Sequence, residues 1–510
     1  MIPAQSPEPV PSAPARGPFP RAEGAGLLAV LVAFVGVLAA TTLAYQPVWL
    51  DEVTVADPAV NLYLGKGFTS TGWQYQTKEE FWASNAPLHQ ILLYHWIKVF
   101  GFTPVSVRSI SFLLMAATIA LVWLGVWRWG LIRTPLVRFL LVGLMIGGAG
   151  ITFNFSMGRY DCIGILLFAG ALVITSLEGP FWIRALLLMG VGILIPMAGV
   201  NLLPYGALLG GLLLFYLRRE FVREAVCLGA GILLGLFGLY VLYVTNGVEK
   251  VLLVSAGGHG LAGTLGDDAG SIRTAGLGEK IKFVLTHFPR ILMNRLSNLP
   301  RWYLSDYSFV LILALLGVRS TLLRRSRKLA LRSIPSFGLA VAILVPLLLG
   351  LLRDYPFYYS WMAYLPVAIC TMSACDGLWN PPSRLLTRAA VGAVVLLAFW
   401  QGLPARLSWA LRHPAPDHAK VEQFVRAGVS KSDRAYADFE AYYPMQRSAT
   451  YVLLPTYQKM MSRTEKSELT VLVVRAPNVA EVTAVVGGSW REVASLDQPV
   501  PYDLRILRRP

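Results

Sequence analysis

Eleven apolar runs recur along this sequence, at roughly 26–45, 107–126, 139–156, 162–177, 185–200, 203–217, 225–244, 308–323, 334–352, 357–373 and 388–404. The first is too long for the apolar core of a signal peptide and long enough to cross about 30 Å of hydrocarbon. Several of the others are shorter and need a thinned bilayer or polar helix ends. Composition points the same way, because 55% hydrophobic and 15% charged residues describe a lipid-facing surface. The fold expected is an α-helical polytopic membrane protein with about eleven transmembrane helices.

Basic residues outnumber acidic ones by 45 to 29, a formal net charge of +16. Such an excess suits a nucleic-acid binder or a membrane protein with positive cytoplasmic loops, and its placement decides between them. Alternating the eleven runs from a cytoplasmic N-terminus puts Arg128, Arg133, Arg138, Arg218, Arg219, Arg223, Arg324, Arg325, Arg327 and Lys328 on the inner side, against Glu178, Glu220, Glu224 and Asp376. The short outer loops balance Arg159 and Arg353 with Asp161 and Asp354. No nucleic-acid partner is needed to account for the charge.

Residues 1–24 carry seven prolines between Pro3 and Pro20 and read as a disordered cytoplasmic tail. The membrane module then covers 25–404, with two long outer loops at 46–106 and 245–307. Residues 405–510 regain polar composition and, after an odd number of crossings, read as a small extracytoplasmic α/β domain. Its expected elements are a helix at Asp417 to Arg426 and strands at Arg434 to Phe439, Thr470 to Arg475 and Val482 to Val486. Cys162, Cys227, Cys370 and Cys375 lie in or beside apolar stretches with no CxxC spacing, so neither a disulfide framework nor a cysteine metal site is expected.

The first outer loop opens with Trp49-Leu50-Asp51-Glu52, two carboxylates at the exit of the first membrane helix. A carboxylate partly shielded at a membrane boundary can serve as a general base or hold a divalent cation; an acid pair favoured by a helix N-terminus is the plainer alternative. Farther along, Pro87-Leu88-His89 leads into an amphipathic run from Ile91 to Phe100 that suits the membrane interface. Arg108 begins the next run, where reaching out to lipid headgroups is the expected role. In the second outer loop Lys280, Lys282, Arg290, Arg295 and Arg301 alternate with apolar residues at helical spacing. Such a basic face can grip a lipid phosphate or simply anionic headgroups.

The Asp51-Glu52 pair, the Pro87 to Gly101 stretch with Leu92, Leu93, Tyr94 and Trp96, and Arg108-Ser109 come in an order that resembles the C-type membrane glycosyltransferases. That superfamily includes protein O-mannosyltransferases and the aminoarabinose transferase acting on lipid A. Gly158-Arg159-Tyr160-Asp161 is similar to their short outer loop, and Asp354 to Tyr359 followed by Leu365-Pro366 to their late one. The resemblance covers roughly residues 25–375, and it departs at Asn85-Ala86-Pro87, where many relatives carry a His-Pro-Pro or Lys-Pro element.

The resemblance implies a polyprenyl-phosphate-linked sugar donor, a lipid, glycan or protein acceptor, and inverting transfer of a hexosyl or pentosyl group at the outer face of a bacterial inner membrane. Asp51 matches the family's base, with Glu52 and Asp161 as further catalytic candidates. His89, Arg159, Arg301, Arg353, Tyr355 and Tyr358 are the candidate substrate-binding residues, the arginines because a guanidinium can engage two phosphate oxygens. Asp51 and Asp161 brought together would repel unless an Arg, a proton or a divalent cation intervened, so a metal at these two positions stays open. The competing expectation is a transporter or flippase of a lipid-linked glycan, which would need an acidic and basic cavity for passage alone.

Overall fold

The computed structural model describes residues 20–43, 45–72, 76–83, 87–218, 221–248, 306–325, 333–352, 357–378, 385–413, 415–458 and 460–510, with isolated positions between 282 and 304. Residues 1–19 of the tail expected at 1–24 lie outside these residues, as does nearly all of the segment 245–307, whereas Arg21 to Gly24, expected to end the tail, form the first turn of a helix.

Each apolar run carries a helix. In chain order they are α1 (Arg21–Thr42), α2 (Leu50–Tyr63), α3 (Leu88–Phe100), α4 (Pro104–Trp129), α5 (Pro135–Gly147), α6 (Ala149–Ser156), α7 (Asp161–Thr175), α8 (Phe181–Ala198), α9 (Leu203–Leu217) and α10 (Phe221–Thr245). After the second outer loop follow α11 (Tyr307–Arg325), α12 (Ile334–Leu352), α13 (Trp361–Asp376), α14 (Leu385–Trp400) and α15 (Leu403–Arg412). Among the described residues four helices are long and apolar enough to cross a membrane, α1, α4, α8 and α10, or six if two bent pairs are each one span. Shorter apolar stretches are Asp161–Thr175 in α7, Leu203–Leu217 in α9, Tyr307–Leu323 in α11 and Ile334–Leu348 in α12. The chain is an integral membrane protein on this count.

One bent pair, α5 and α6, turns by 62° at Gly147-Gly148. A side chain there has no room: a Cβ on Gly148 would lie 2.8 Å from the Tyr364 ring, and one on Gly147 would strike the backbone of Phe399. The turn that follows α6 lies against the start of α4, with Gly158 facing Val107. That helix is fixed locally by Thr103, whose hydroxyl accepts from the Ser106 amide at 3.1 Å, by Pro104 at its first position, and by left-handed Gly130 at its end.

The C-terminal residues build a five-stranded sheet from β1 (Arg434–Ala437), β2 (Tyr451–Leu453), β3 (Val471–Arg475), β4 (Arg491–Leu496) and β5 (Leu504–Arg508), in the order β2-β1-β3-β5-β4. β1 runs parallel to β2 and β3, while β5 is antiparallel to β3 and β4. Helices α16 (His418–Gly428), α17 (Tyr442–Ser448), α18 (Arg463–Glu468) and α19 (Val479–Val486) accompany them. Asp417 caps α16 by accepting from the Lys420 amide. The expected strand at Val482 to Val486 is instead the end of α19, with Val482 and Val486 buried four residues apart on one helical face.

Val471 and Val473 on one face of β3 share a buried core with Val53, Ala56, Ala59 and Val60 of α2, Leu93 and Ile97 of α3, and Val107 and Ile110 of α4. Leu472 and Val474 on the other face pack with Val482 and Val486. The sheet is therefore joined to the segment 46–106 by continuous apolar packing.

Candidate active site

Asp51 lies in the first turn of α2, one residue before Glu52. Successive residues of a helix project about 100° apart, so the two carboxylates leave the helix in different directions. Glu52 is wholly buried and pairs with Arg108, also wholly buried, whose Nε is 3.0 and 3.1 Å from the two carboxylate oxygens and whose Nη2 is 2.7 Å from Oε2. The remaining guanidinium hydrogens go to the carbonyls of Thr42, Gln46 and Pro47 at 3.2, 3.0 and 2.9 Å. Arg108 thus ties the end of α1 to the start of α2. The expectation that it reaches lipid headgroups is overturned, because a carboxylate and three carbonyls inside the protein use the donors that headgroups would have used.

Asp51 turns toward Arg159, which donates from Nη1 to Asp51 Oδ2 and from Nε to Asp161 Oδ2 at 2.7 Å. A guanidinium is what intervenes between the two carboxylates in this structure. Asp161 is fully buried and its Oδ1 has no hydrogen-bond partner among the described residues, whereas Asp51 keeps 31% of its side chain exposed. That difference makes Asp51 the carboxylate a substrate can reach. Burial works against the Arg159 charge, yet Asp161, Tyr359 and Asp51 hold its pKa well above the usual guanidinium value. The rings of Trp49, Tyr160 and Tyr359 surround it at 5.5, 5.8 and 5.9 Å.

Gly158 makes the turn into Arg159 with φ +63°, a left-handed conformation that an L side chain seldom adopts. Its own flank faces Val107 and Glu52. The Arg159 carbonyl is held by the Cys162 thiol at 2.8 Å.

His89, in the first turn of α3, is fully buried, and among the described residues neither ring nitrogen has a hydrogen-bond partner. Burial pushes its pKa down to about 4, and the positive charge of Arg159 adds to the shift. The imidazole is neutral at pH 7 and keeps both polar atoms available. Tyr358 falls in a 3-10 turn (Phe357–Ser360) with its neighbour Tyr359 against Arg159; its own side chain is outside the described residues. Arg301, Arg353 and Tyr355 are outside them altogether.

Two buried pairings beside the site escaped sequence reasoning. Tyr443 of α17 donates to Glu52 Oε1 at 3.0 Å, and Tyr442 donates to Asp57 Oδ1 at 2.8 Å. Asp57, fully buried, also accepts from the Ser70 hydroxyl and the Thr71 amide at 2.8 Å and from Gln446 at 3.2 Å. Burial raises its pKa, and these donors act against the rise. Lys66 reaches Gln446 at 2.9 Å and completes the group. A lone Arg inside an apolar run was the one available sign of the Glu52 pair; the tyrosines follow a strand far away in sequence and gave none.

Beside this cluster lies a narrow cavity of about 40 Å³ between α7, α8, α9 and α10, lined by Gly164, Phe168, Leu188, Tyr205, Leu209 and Trp361 among others and almost wholly apolar. Gly164 is one helical turn from Asp161, and Trp361 follows the turn that holds Tyr359. Among the described residues no group of three or more His, Cys, Asp or Glu side chains gathers as a metal site. The carboxylates of Asp51 and Asp161 already share Arg159.

Neither a protein-family model nor a curated protein matches the sequence. Solved structures do resemble the fold. The structure of ArnT from Cupriavidus metallidurans in the apo state superposes with a TM-score of 0.62 at 12% identity, covering 96% of this chain and 98% of that one. ArnT from the same organism bound to undecaprenyl phosphate gives a TM-score of 0.57 at 12% identity, covering 94% and 98%. Likeness over almost the full length of both chains, at an identity this low, is a likeness of fold. The fold is the one the sequence resemblance implied, that of the C-type membrane glycosyltransferases.

Proposed function

We propose that the chain transfers a sugar from a polyprenyl-phosphate donor to an acceptor hydroxyl. The observation that carries this reading is the part-exposed Asp51 joined through Arg159 to buried Asp161, one helical turn from the apolar lining that begins at Gly164. That apolar lining suits a prenyl segment chemically. Its phosphate would then meet the guanidinium of Arg159, the group best suited to hold two of its oxygens. The fold is shared with a protein whose structure holds undecaprenyl phosphate, which supports the same class of donor here.

In this mechanism the incoming phosphate draws Arg159 toward itself and frees Asp51 Oδ2. Asp51 takes the proton of the acceptor hydroxyl as the new oxygen–carbon bond forms at the anomeric carbon. The bond from that carbon to the phosphate oxygen breaks with its electron pair, and polyprenyl phosphate departs, its charge balanced by Arg159. Attack opposite to the leaving group inverts the sugar. Asp161 holds Arg159 in place, and the neutral His89 offers a hydrogen bond to the donor. No metal step is needed for this charge balance. The reading places the site on the outer face of a bacterial inner membrane, with the C-terminal sheet on the same side.

The test is to incubate the purified chain in nanodiscs with a panel of polyprenyl-phosphate sugars and an acceptor extract and to measure free polyprenyl phosphate. Release that depends on the acceptor is the expected result. Movement of the intact donor across the bilayer with no release from any of them would replace the enzyme by a conduit.

A further inference from the structure

The C-terminal sheet unit does more than stand beside the transfer site. Tyr442 and Tyr443 are consecutive, fully buried, and each gives its hydroxyl hydrogen to a different carboxylate of the same helix, α2: Tyr442 to Asp57 and Tyr443 to Glu52. The second of these acids is the neighbour of Asp51. Glu52 is gripped from one side by Arg108 and from the other by Tyr443, so the rotation of the first turn of α2 is set by two groups that belong to different parts of the fold. Val48, just before that turn, donates its amide to the Tyr502 hydroxyl at 3.0 Å, a third tie from the sheet unit to the same stretch.

We infer that Tyr443 is a positioning residue for transfer: by holding Glu52 it fixes the first turn of α2, and with it the direction in which Asp51 meets the acceptor. Tyr442 anchors the middle of the same helix, nearly two turns from Asp51, where Asp57 keeps Ser70, Thr71 and Gln446 as donors without it. The inference rests on the transfer reading above, in that Asp51 is taken as the base.

The two tyrosines supply their own control, because Tyr443→Phe and Tyr442→Phe each delete one buried hydroxyl bound to a carboxylate. Both variants lose melting temperature to a similar degree. Per folded molecule, Tyr443→Phe lowers kcat about tenfold, the size of one hydrogen bond to a charged acceptor, with KM for the donor unchanged. Tyr442→Phe keeps kcat within about twofold, because three donors still hold Asp57. Wild-type kcat in Tyr443→Phe, or equal losses in both variants, overturns the inference. If the wild-type chain turns over no donor, the transfer reading fails by itself, and hydrogen exchange of the amides at the start of α2 decides the positioning role instead. Faster exchange there in Tyr443→Phe than in Tyr442→Phe upholds it; equal exchange in the two removes it.

Discussion

Asp51 and Glu52 adjoin in sequence and have separate partners: Asp51 meets Arg159 at a half-open site, and Glu52 meets Arg108 with no exposure at all. An acid pair at the exit of a membrane helix thus divides into a group that a substrate can reach and a group that fixes the helix bearing it. The division follows from the angle between successive helical residues, and it sets different expectations for the two substitutions.

Replacing the reachable acid should act on chemistry. Asp51→Asn removes the proposed base and is expected to lower transfer by a factor of about 10² to 10⁴, the usual worth of a positioned general base. Binding of a polyprenyl phosphate to the variant should persist, as measured by tryptophan quenching. Turnover close to wild type would take Asp51 out of the reaction.

The buried acid should act on stability. Glu52→Gln or Arg108→Met leaves a charge or its partners unpaired inside the protein, at a cost of about 3–5 kcal/mol. Arg108→Lys does not repair the loss, since an ammonium cannot serve two carboxylate oxygens and three carbonyls together. The check is a thermal melt in detergent, where a lysine variant as stable as wild type would contradict the described geometry.

The pH dependence has a defined sign. His89 has a folded pKa of about 4, below its value of 6.5 in an unfolded chain, so between these values the unfolded chain binds more protons and stability falls as pH falls. Over that window the loss is at most about 3 kcal/mol. Glu440, raised to about 7 by burial, has the opposite effect: the folded chain binds more protons, and stability falls as pH rises from 4.5 to 7. Melting temperatures of His89→Gln should lose the first slope and those of Glu440→Gln the second; slopes equal to wild type in both would show that neither group titrates as described.

A smaller substitution tests the Arg159 turn. Gly158→Ala finds its nearest neighbours at 3.5 Å, so space is not limiting, but φ +63° costs an alanine about 1–2 kcal/mol. The chain relieves that strain by shifting Arg159. Reduced donor affinity together with a lower melting point is expected, and an alanine variant with unchanged affinity would separate the turn from the arginine's function.

Much of this architecture is legible in the residues. The apolar runs locate the membrane helices because hydrocarbon thickness imposes their length, and Asp417 announces α16 because a cap must accept from the first turn. Asp51, Arg159 and Asp161 can be singled out as polar groups at helix ends. Their mutual geometry cannot, since it depends on the Gly147-Gly148 bend and on how α4 and α7 pack. The Val482 to Val486 run misled because a short apolar run has no period of its own. Arg108 misled because a charge at the mouth of an apolar helix suits water, lipid or a buried acid equally, and Glu52 lies 56 residues away.

The link from Tyr443 to Glu52 spans 391 residues of chain. During synthesis α2 emerges early and the tyrosines emerge only after α1 to α16, the sixteen described helices that precede the sheet. Until then Glu52 has Arg108 but not Tyr443 to hold it. On the proposed transfer reading, a chain cut before Tyr443 is therefore expected to enter the bilayer yet consume donor more slowly than the whole, because the first turn of α2 lacks its second tie.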